Sequence, residues 1–181
     1  VGLTATSQNL DSYACLNFAR VQFFASFSFE HYNKAIECLE KSVVDDPQYA
    51  EAWQYYGFLL GWGYSIFGVH EKDILTQALE AVQKAIALDS AYAMAYRTKA
   101  EIEFYLGNFE QMLKDGERAL ELAPNDNEVI GGVSYIMALS GWGCHSSEKL
   151  KKKYNIDNKA CYRLKKGHDL GVIGAKLDKV N

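Results

Sequence analysis

Three segments of this chain end in the same pattern, and this internal repeat restricts the possible folds more than any other feature. They run from Ala35 to Pro47, from Ala78 to Ser90 and from Met112 to Pro124. In each segment, small or apolar residues occupy the first, fifth and eighth positions, which lie on one face of an α-helix. Each segment closes on Pro or Ser. The helix is expected to end there, because Pro cannot continue a helix and Ser favours a turn. The pattern predicts three copies of one helix.

A second type of helix alternates with the first. Two stretches each carry an aromatic residue and, four residues later, a small one: Trp53 with Gly57, and Tyr96 with Ala100. The small residue lets a partner helix approach closely, and the aromatic side chain fills the space between the helices. Because such a pair cannot bury its own apolar stripe, it has to stack on neighbouring pairs. The sequence therefore predicts an all-α fold of stacked helix pairs.

These features resemble the tetratricopeptide-repeat family. The unit over residues 93–126 has the family's 34-residue length, with Tyr96, Ala100 and Pro124 at the aromatic, small and closing positions. The resemblance is strongest over residues 32–126, and it implies a right-handed superhelix of antiparallel helix pairs. We expect one domain over residues 1–181, with pairs at 11–47, 50–90, 93–126 and 128–181 and insertions near 61–72 and 143–160.

A narrower likeness concerns the start of the chain. An opening helix rich in Tyr, Leu and Arg is followed by an irregular loop and a unit that begins KAIE and ends in Asp46-Pro47. This arrangement resembles the repeat regions attached to bacterial winged-helix regulators and class III adenylyl cyclases. The resemblance implies a sensory or partner-binding module of a larger regulatory protein.

The family resemblance also implies a binding surface, because the first helix of each pair lines the concave face. The groove positions carried over from the family are Phe18, Gln54, Phe58, Trp62, Arg97, Glu101, Phe104, Tyr105 and Tyr135. Aromatic and Arg side chains anchor binding surfaces. We expect an interaction scaffold that binds a protein or peptide, either extended or helical, with apolar and a few basic side chains. The alternatives are a small-molecule-sensing regulatory domain and a self-assembly scaffold.

Charge is unevenly distributed along the chain. From His145 onward there are ten Lys and Arg against four Asp and Glu, whereas the preceding part has nine against nineteen. The basic C-terminal segment favours a solvated helix face, a contact surface for an acidic partner, or docking on the acidic body of another copy, which would give a homo-oligomer. The overall net charge of −4 argues against direct contact with nucleic acid. No stretch of membrane-spanning length lacks charge, and we expect a cytoplasmic rather than a periplasmic protein.

Cysteine, histidine and glycine give few signals of chemistry. The four cysteines, at positions 15, 38, 144 and 161, form no CxxC pair, and we expect reduced thiols. A metal site built from Cys144, His145, Cys161 and His168 would lack the short paired spacings of structural zinc sites. We therefore expect no metal, no cofactor and no catalytic residues, hence no enzyme. The sequence Gly61-Trp62-Gly63 is expected to end a helix, with Trp62 packed under the following insertion.

Overall fold

The computed structural model describes residues 10–25, 28–70 and 73–140, and over these ranges it consists of helices without strands. This confirms the all-α fold class. The seven helices are α1 (Leu10–Ala25), α2 (Phe29–Asp45), α3 (Ala50–Ile66), α4 (Ile74–Leu88), α5 (Ala93–Leu106), α6 (Phe109–Leu122) and α7 (Asn127–Leu139).

The helices pair in chain order. The most extensive packing joins α1 to α2, α3 to α4 and α5 to α6, and each pair also packs on the next. The first helices touch one another, α1 against α3 and α3 against α5, so their side chains share one surface. These helices lie in a compact unit that ends at Ile130, and a second unit begins at Gly131. In the second unit, the described residues are the remainder of α7 and Ser140.

The helices start and stop where local chemistry dictates. Helices α2, α4 and α6 each end two residues before the Pro or Ser that closes the repeated segment. The Ser28 hydroxyl accepts a hydrogen bond from the His31 backbone N–H at 3.3 Å, which satisfies a free donor at the start of α2. Gly107 ends α5 in the left-handed region, with φ +79°, where a side chain would be strained.

The repeated small and apolar positions form the core. All nine are buried: Ala35, Leu39, Ser42, Ala78, Val82, Ala85, Met112, Gly116 and Ala119. Burial of this apolar surface stabilises the fold by roughly 25 cal/mol for each Å² removed from water. The period read from the sequence is therefore the period of the core.

Two glycines of α3 permit close helix contacts. A Cβ atom on Gly57 would lie 2.8 Å from the Ala78 carbonyl oxygen of α4, which confirms the predicted close approach. A Cβ atom on Gly63 would overlap the side chain of Tyr32 from α2. The prediction that Gly61-Trp62-Gly63 ends the helix is wrong, since α3 continues to Ile66. Gly63 is used for packing inside the helix rather than for termination.

A disulfide joins Cys15 of α1 to Cys38 of α2, so the prediction of reduced thiols is wrong for this pair. The two helices form an antiparallel hairpin, and the two cysteines are nearly equidistant from its turn. This register places their Cα atoms 5.2 Å apart, within the range that a disulfide spans. Cys144 and Cys161 lie outside the described residues.

The described helices contain neither a candidate membrane span nor a candidate metal site. None of them combines the length and the apolar character needed to cross a bilayer. Within the same residues, no group of three or more His, Cys, Asp and Glu side chains could hold a metal ion. The metal candidates weighed from the sequence, Cys144, His145, Cys161 and His168, lie outside the described part of the chain.

Candidate functional site

A line of stacked arginine and aromatic side chains crosses the first helices of the three pairs. The guanidinium carbon of Arg20, on α1, lies 5.7 Å from the centre of the Tyr55 ring on α3. The Tyr55 and Phe58 rings are 5.5 Å apart, and Arg97 of α5 lies 5.2 Å from the Phe58 ring. Cations over aromatic faces attract the ring quadrupole. We call Arg20, Tyr55, Phe58 and Arg97 the arginine–aromatic row.

Aromatic side chains flank one side of this row. The ring of Phe23, on α1, lies 5.4 Å from Phe58 and 4.4 Å from Trp62. Phe58 and Trp62 are partly exposed, so this aromatic wall (Phe23, Phe58 and Trp62) offers apolar surface to a ligand. Trp62 also meets Phe67, just after α3, at 6.1 Å, consistent with its predicted packing. A cavity beside the wall measures about 10 Å³, room for at most one water molecule.

Each arginine of the row has an acidic neighbour. Arg20 lies 3.6 Å from a carboxylate oxygen of Glu51, and Arg97 lies 3.4 Å from Glu101 Oε2. The Tyr105 hydroxyl donates to Glu101 Oε1 at 2.9 Å and orients that carboxylate. The negative charges of Glu51 and Glu101 are thus largely compensated by cations of the same surface.

Three buried polar atoms at the row have no hydrogen-bond partner among the described residues: Tyr55 Oη, Arg97 Nε and Glu101 Oε2. A buried polar atom without a partner costs about 1–3 kcal/mol. Burial raises the pKa of Tyr55 to about 12, with a smaller opposing effect of Arg20 and a raising effect of Glu128. The Tyr55 hydroxyl is therefore protonated at neutral pH and can donate a hydrogen bond.

Gln54, predicted to contact a ligand, lies inside the stack and is 2% exposed. Its side-chain N–H donates to Thr98 Oγ1 at 2.8 Å, and the Tyr92 hydroxyl donates to its Oε1 at 3.2 Å. These bonds tie α3 to α5 and fix the spacing of the first helices. Burial raises the pKa of Tyr92, with the nearby Glu51 adding to the effect, so this donor stays protonated. A direct contact of Gln54 with a ligand stays a prediction.

The other predicted residues are distributed along the same helices. Phe18 is exposed on α1. On α5, the Phe104 and Tyr105 rings are 5.6 Å apart, and Tyr105 approaches Tyr64 of α3 at 5.9 Å. Tyr135 belongs to the second unit, where it is 60% exposed.

Sequence reasoning missed Arg20, Tyr55 and Phe23 as members of the site. The groove positions were carried over from the family for each helix separately. The repeat pattern does not say which side chains meet across helices. One usable signal was the opposite charge of Arg20 and Glu51 on neighbouring first helices, which the structure places 3.6 Å apart.

Replacing Gln54 with leucine should destabilise the fold by about 1–3 kcal/mol, because Thr98 and Tyr92 would each lose a buried partner. Urea unfolding followed by circular dichroism measures the change. The control is Thr98→Val, alone and combined with Gln54→Leu in a double-mutant cycle. Strictly additive effects of the two substitutions would show that the bond between α3 and α5 is not formed.

The sequence is similar to parts of known repeat proteins. No protein-family profile matches the chain. It is 27% identical over 128 residues to the human mitochondrial import receptor subunit TOM70, a match covering 70% of this chain and 19% of the receptor. The chain thus spans about one fifth of the receptor's length. It is 31% identical over 64 residues, 35% of this chain, to a TPR repeat-containing protein of Rhizobium etli, of which it covers 31%.

Solved structures show the same architecture. The first tetratricopeptide-repeat domain of Spaghetti (RPAP3), bound to the HSP90 peptide SRMEEVD, has a TM-score of 0.55 and 25% identity, with 75% of this chain and 95% of that domain covered. An O-GlcNAc transferase of Thermobaculum terrenum has a TM-score of 0.62 at 18% identity, with 88% of this chain and 26% of the transferase covered, which shows the fold alone. The stacked helix pairs and these likenesses together show that the chain has the tetratricopeptide-repeat fold.

Proposed function

We propose that the chain is a protein-interaction module that binds an extended peptide along the arginine–aromatic row. The observation that carries the proposal is the set of three buried polar atoms without a hydrogen-bond partner among the described residues, beside a partly exposed aromatic wall. The similar domain of Spaghetti is bound to a peptide of HSP90, which supports the same class of ligand for this surface. The proposed function includes no catalytic step.

The chemistry of a peptide main chain suits this surface. Arg97 Nε and Tyr55 Oη are donors, and Glu101 Oε2 is an acceptor. Peptide carbonyls and amide N–H groups supply the complementary acceptors and donors after small side-chain rotations. An apolar side chain of the peptide would pack on Phe58 and Trp62, as aromatic anchors do at interfaces.

We further propose that an acidic peptide is preferred over the basic one suggested by the sequence. Arg97 approaches Glu101 at 3.4 Å, but Glu101 Oε2 accepts no hydrogen bond there. A guanidinium forms its strongest contacts as paired hydrogen bonds to a carboxylate. A carboxylate of the ligand would accept the hydrogen bonds that the Arg97 guanidinium does not give to Glu101. Arg20 adds a second positive charge in the row.

Tyr55→Phe tests the proposal because it separates stability from binding. The Tyr55 hydroxyl has no hydrogen-bond partner within the described residues, so its removal should leave stability unchanged or raise it by about 1 kcal/mol. If the hydroxyl donates to bound peptide, affinity should fall about tenfold, a typical loss for one hydrogen bond. Fluorescence anisotropy of labelled SRMEEVD measures affinity, and urea unfolding measures stability.

The matched control is Tyr56→Phe on the same helix. The Tyr56 hydroxyl donates to Glu40 of α2 at 3.1 Å, away from the row. Its removal should cost a little stability and leave peptide affinity unchanged. Equal affinity of the wild type and Tyr55→Phe, or equal losses in both variants, would count against binding along the row.

Small-molecule sensing and self-assembly are the alternative functions. The cavity beside Trp62, about 10 Å³, is too small to enclose a small molecule. Self-assembly through the basic segment involves residues outside the described part of the chain. Sedimentation velocity at low and high salt tests it, because docking of basic on acidic surfaces would weaken as salt screens the charges.

A further inference from the structure

We infer that the Cys15–Cys38 disulfide is a redox-sensitive crosslink that keeps α1 packed beside α3, with Arg20 in the arginine–aromatic row. Its reduction would release α1 and weaken binding. The effect on binding rests on the proposed function, whereas the release of α1 can be measured without any ligand. The bridge is the one covalent link between helices in the described part of the chain, and it connects α1 to α2.

Apart from the bridge, α1 is held mainly on one side. Leu16 and Ala19 are fully buried in the core. Ser12 and Ser42 exchange hydrogen bonds, each hydroxyl donating to the other residue's carbonyl at 3.3 and 3.2 Å. On the opposite side, apolar side chains are exposed, Leu10 to 84% and Val21 to 61%. Within the described residues, α1 packs on α2 and α3 and is open on the opposite side. A helix with one open side opens at a lower free energy than helices packed on both sides.

Release of α1 would dismantle one end of the candidate site. Arg20 would leave the Tyr55 ring, and its ion pair with Glu51 would be lost. Phe23 would leave Phe58 and Trp62, so the aromatic wall would lose one of its three rings. The row contributed by α3 and α5 would remain, with Tyr55, Phe58 and Arg97. Reduction should therefore weaken binding rather than unfold the whole domain.

The bridge is open to exchange because both cysteines are partly exposed. A thiolate of a dithiol reductant attacks one sulfur, breaks the S–S bond and forms a mixed disulfide, and the other cysteine leaves as a thiolate. The second thiolate of the reductant then displaces the remaining cysteine. Two electrons pass from the dithiol, which becomes a disulfide, and protonation yields two cysteine thiols. Because the cytosol reduces disulfides and oxidising compartments preserve them, the site would respond to its compartment.

The test uses the full chain carrying Cys144→Ser and Cys161→Ser, so that Cys15 and Cys38 are the only cysteines. Hydrogen exchange measured by mass spectrometry follows α1 before and after treatment with dithiothreitol, and intact mass confirms reduction. We expect α1 amides to exchange at least about tenfold faster after reduction, while α5 and α6 stay protected. The affinity for labelled SRMEEVD should fall about tenfold if α1 is then docked in one molecule in ten.

The variant Cys15→Ser/Cys38→Ser is the matched control. Its hydrogen exchange and peptide affinity should equal those of the reduced protein and should not change with dithiothreitol. Equal protection of α1 in the oxidised and reduced protein would overturn the inference, as would faster exchange without loss of affinity. If the peptide binds in neither state, the proposed function fails. The rate of amide hydrogen exchange in α1 then decides by itself whether the bridge keeps α1 packed.

Discussion

Replacement of Gly57 by alanine is expected to lower the free energy of unfolding by about 1–3 kcal/mol, as overpacking of a tight contact does. The new Cβ atom would lie 2.8 Å from the Ala78 carbonyl oxygen and 2.7 Å from Val82 Cγ1. A backbone atom cannot rotate aside, so α3 and α4 would have to separate. In an open helix position, alanine would instead be favourable by about 1 kcal/mol over glycine, so the packing decides the sign. Urea unfolding followed by circular dichroism gives the value.

Gly61→Ala, one turn further along α3, is the control for this prediction. There the Cβ atom would meet Ile102 Cγ1 at 3.5 Å, an ordinary van der Waals distance. We expect Gly61→Ala to be neutral or to stabilise by up to about 1 kcal/mol, because helix propensity improves without a clash. Similar effects of both substitutions would mean that α3 and α4 do not approach at Gly57 as described.

Arg97→Lys should lower the affinity for the peptide SRMEEVD roughly ten- to a hundredfold. Lysine keeps the positive charge beside Glu101 but lacks the planar fork and the Nε donor, for which the described part of the chain offers no hydrogen-bond acceptor. Loss of a charged hydrogen bond costs about 1.5–3 kcal/mol, which corresponds to that range of affinity. Fluorescence anisotropy of the labelled peptide measures the change, and the unfolding curve checks that the domain stays folded.

The matched control is Arg118→Lys on α6. Arg118 pairs with Glu121 at 3.1 Å and lies 6.0 Å from the Tyr96 ring, so it also combines an ion pair with an aromatic contact. It lies outside the row, and its replacement should leave peptide affinity unchanged. Comparable losses in the two variants would indicate a general effect of charge rather than a contact made by Arg97.

The part of the fold that sequence predicts is the part governed by local periodicity. Small and apolar residues at the first, fifth and eighth positions of each segment identify the buried face. The helix ends are marked by Pro47, Ser90 and Pro124, because proline cannot continue a helix and serine favours a turn. Both effects act within a few residues. These two signals are enough to derive stacked helices and the approximate ends of α2, α4 and α6.

The details that the sequence did not reveal depend on contacts between helices. The Cys15–Cys38 bridge follows from the register of the α1–α2 hairpin, and Gly63 lies inside a helix because Tyr32 packs against it. Gln54 has a groove position in the repeat pattern, yet Thr98 and Tyr92 hold it inside the stack. Arg20 and Tyr55 meet across helices 35 positions apart in the numbering, beyond the reach of any local pattern.

The most direct test of the central claim is photo-crosslinking of the peptide SRMEEVD carrying a benzophenone group, with the attached residues identified by mass spectrometry. Binding along the arginine–aromatic row predicts adducts on α1, α3 and α5, near Phe23, Trp62 and Glu101, and their loss in the presence of excess unlabelled peptide. Competed adducts confined to α2, α4 or α6 would contradict it, since they would place the peptide on the second helices of the pairs.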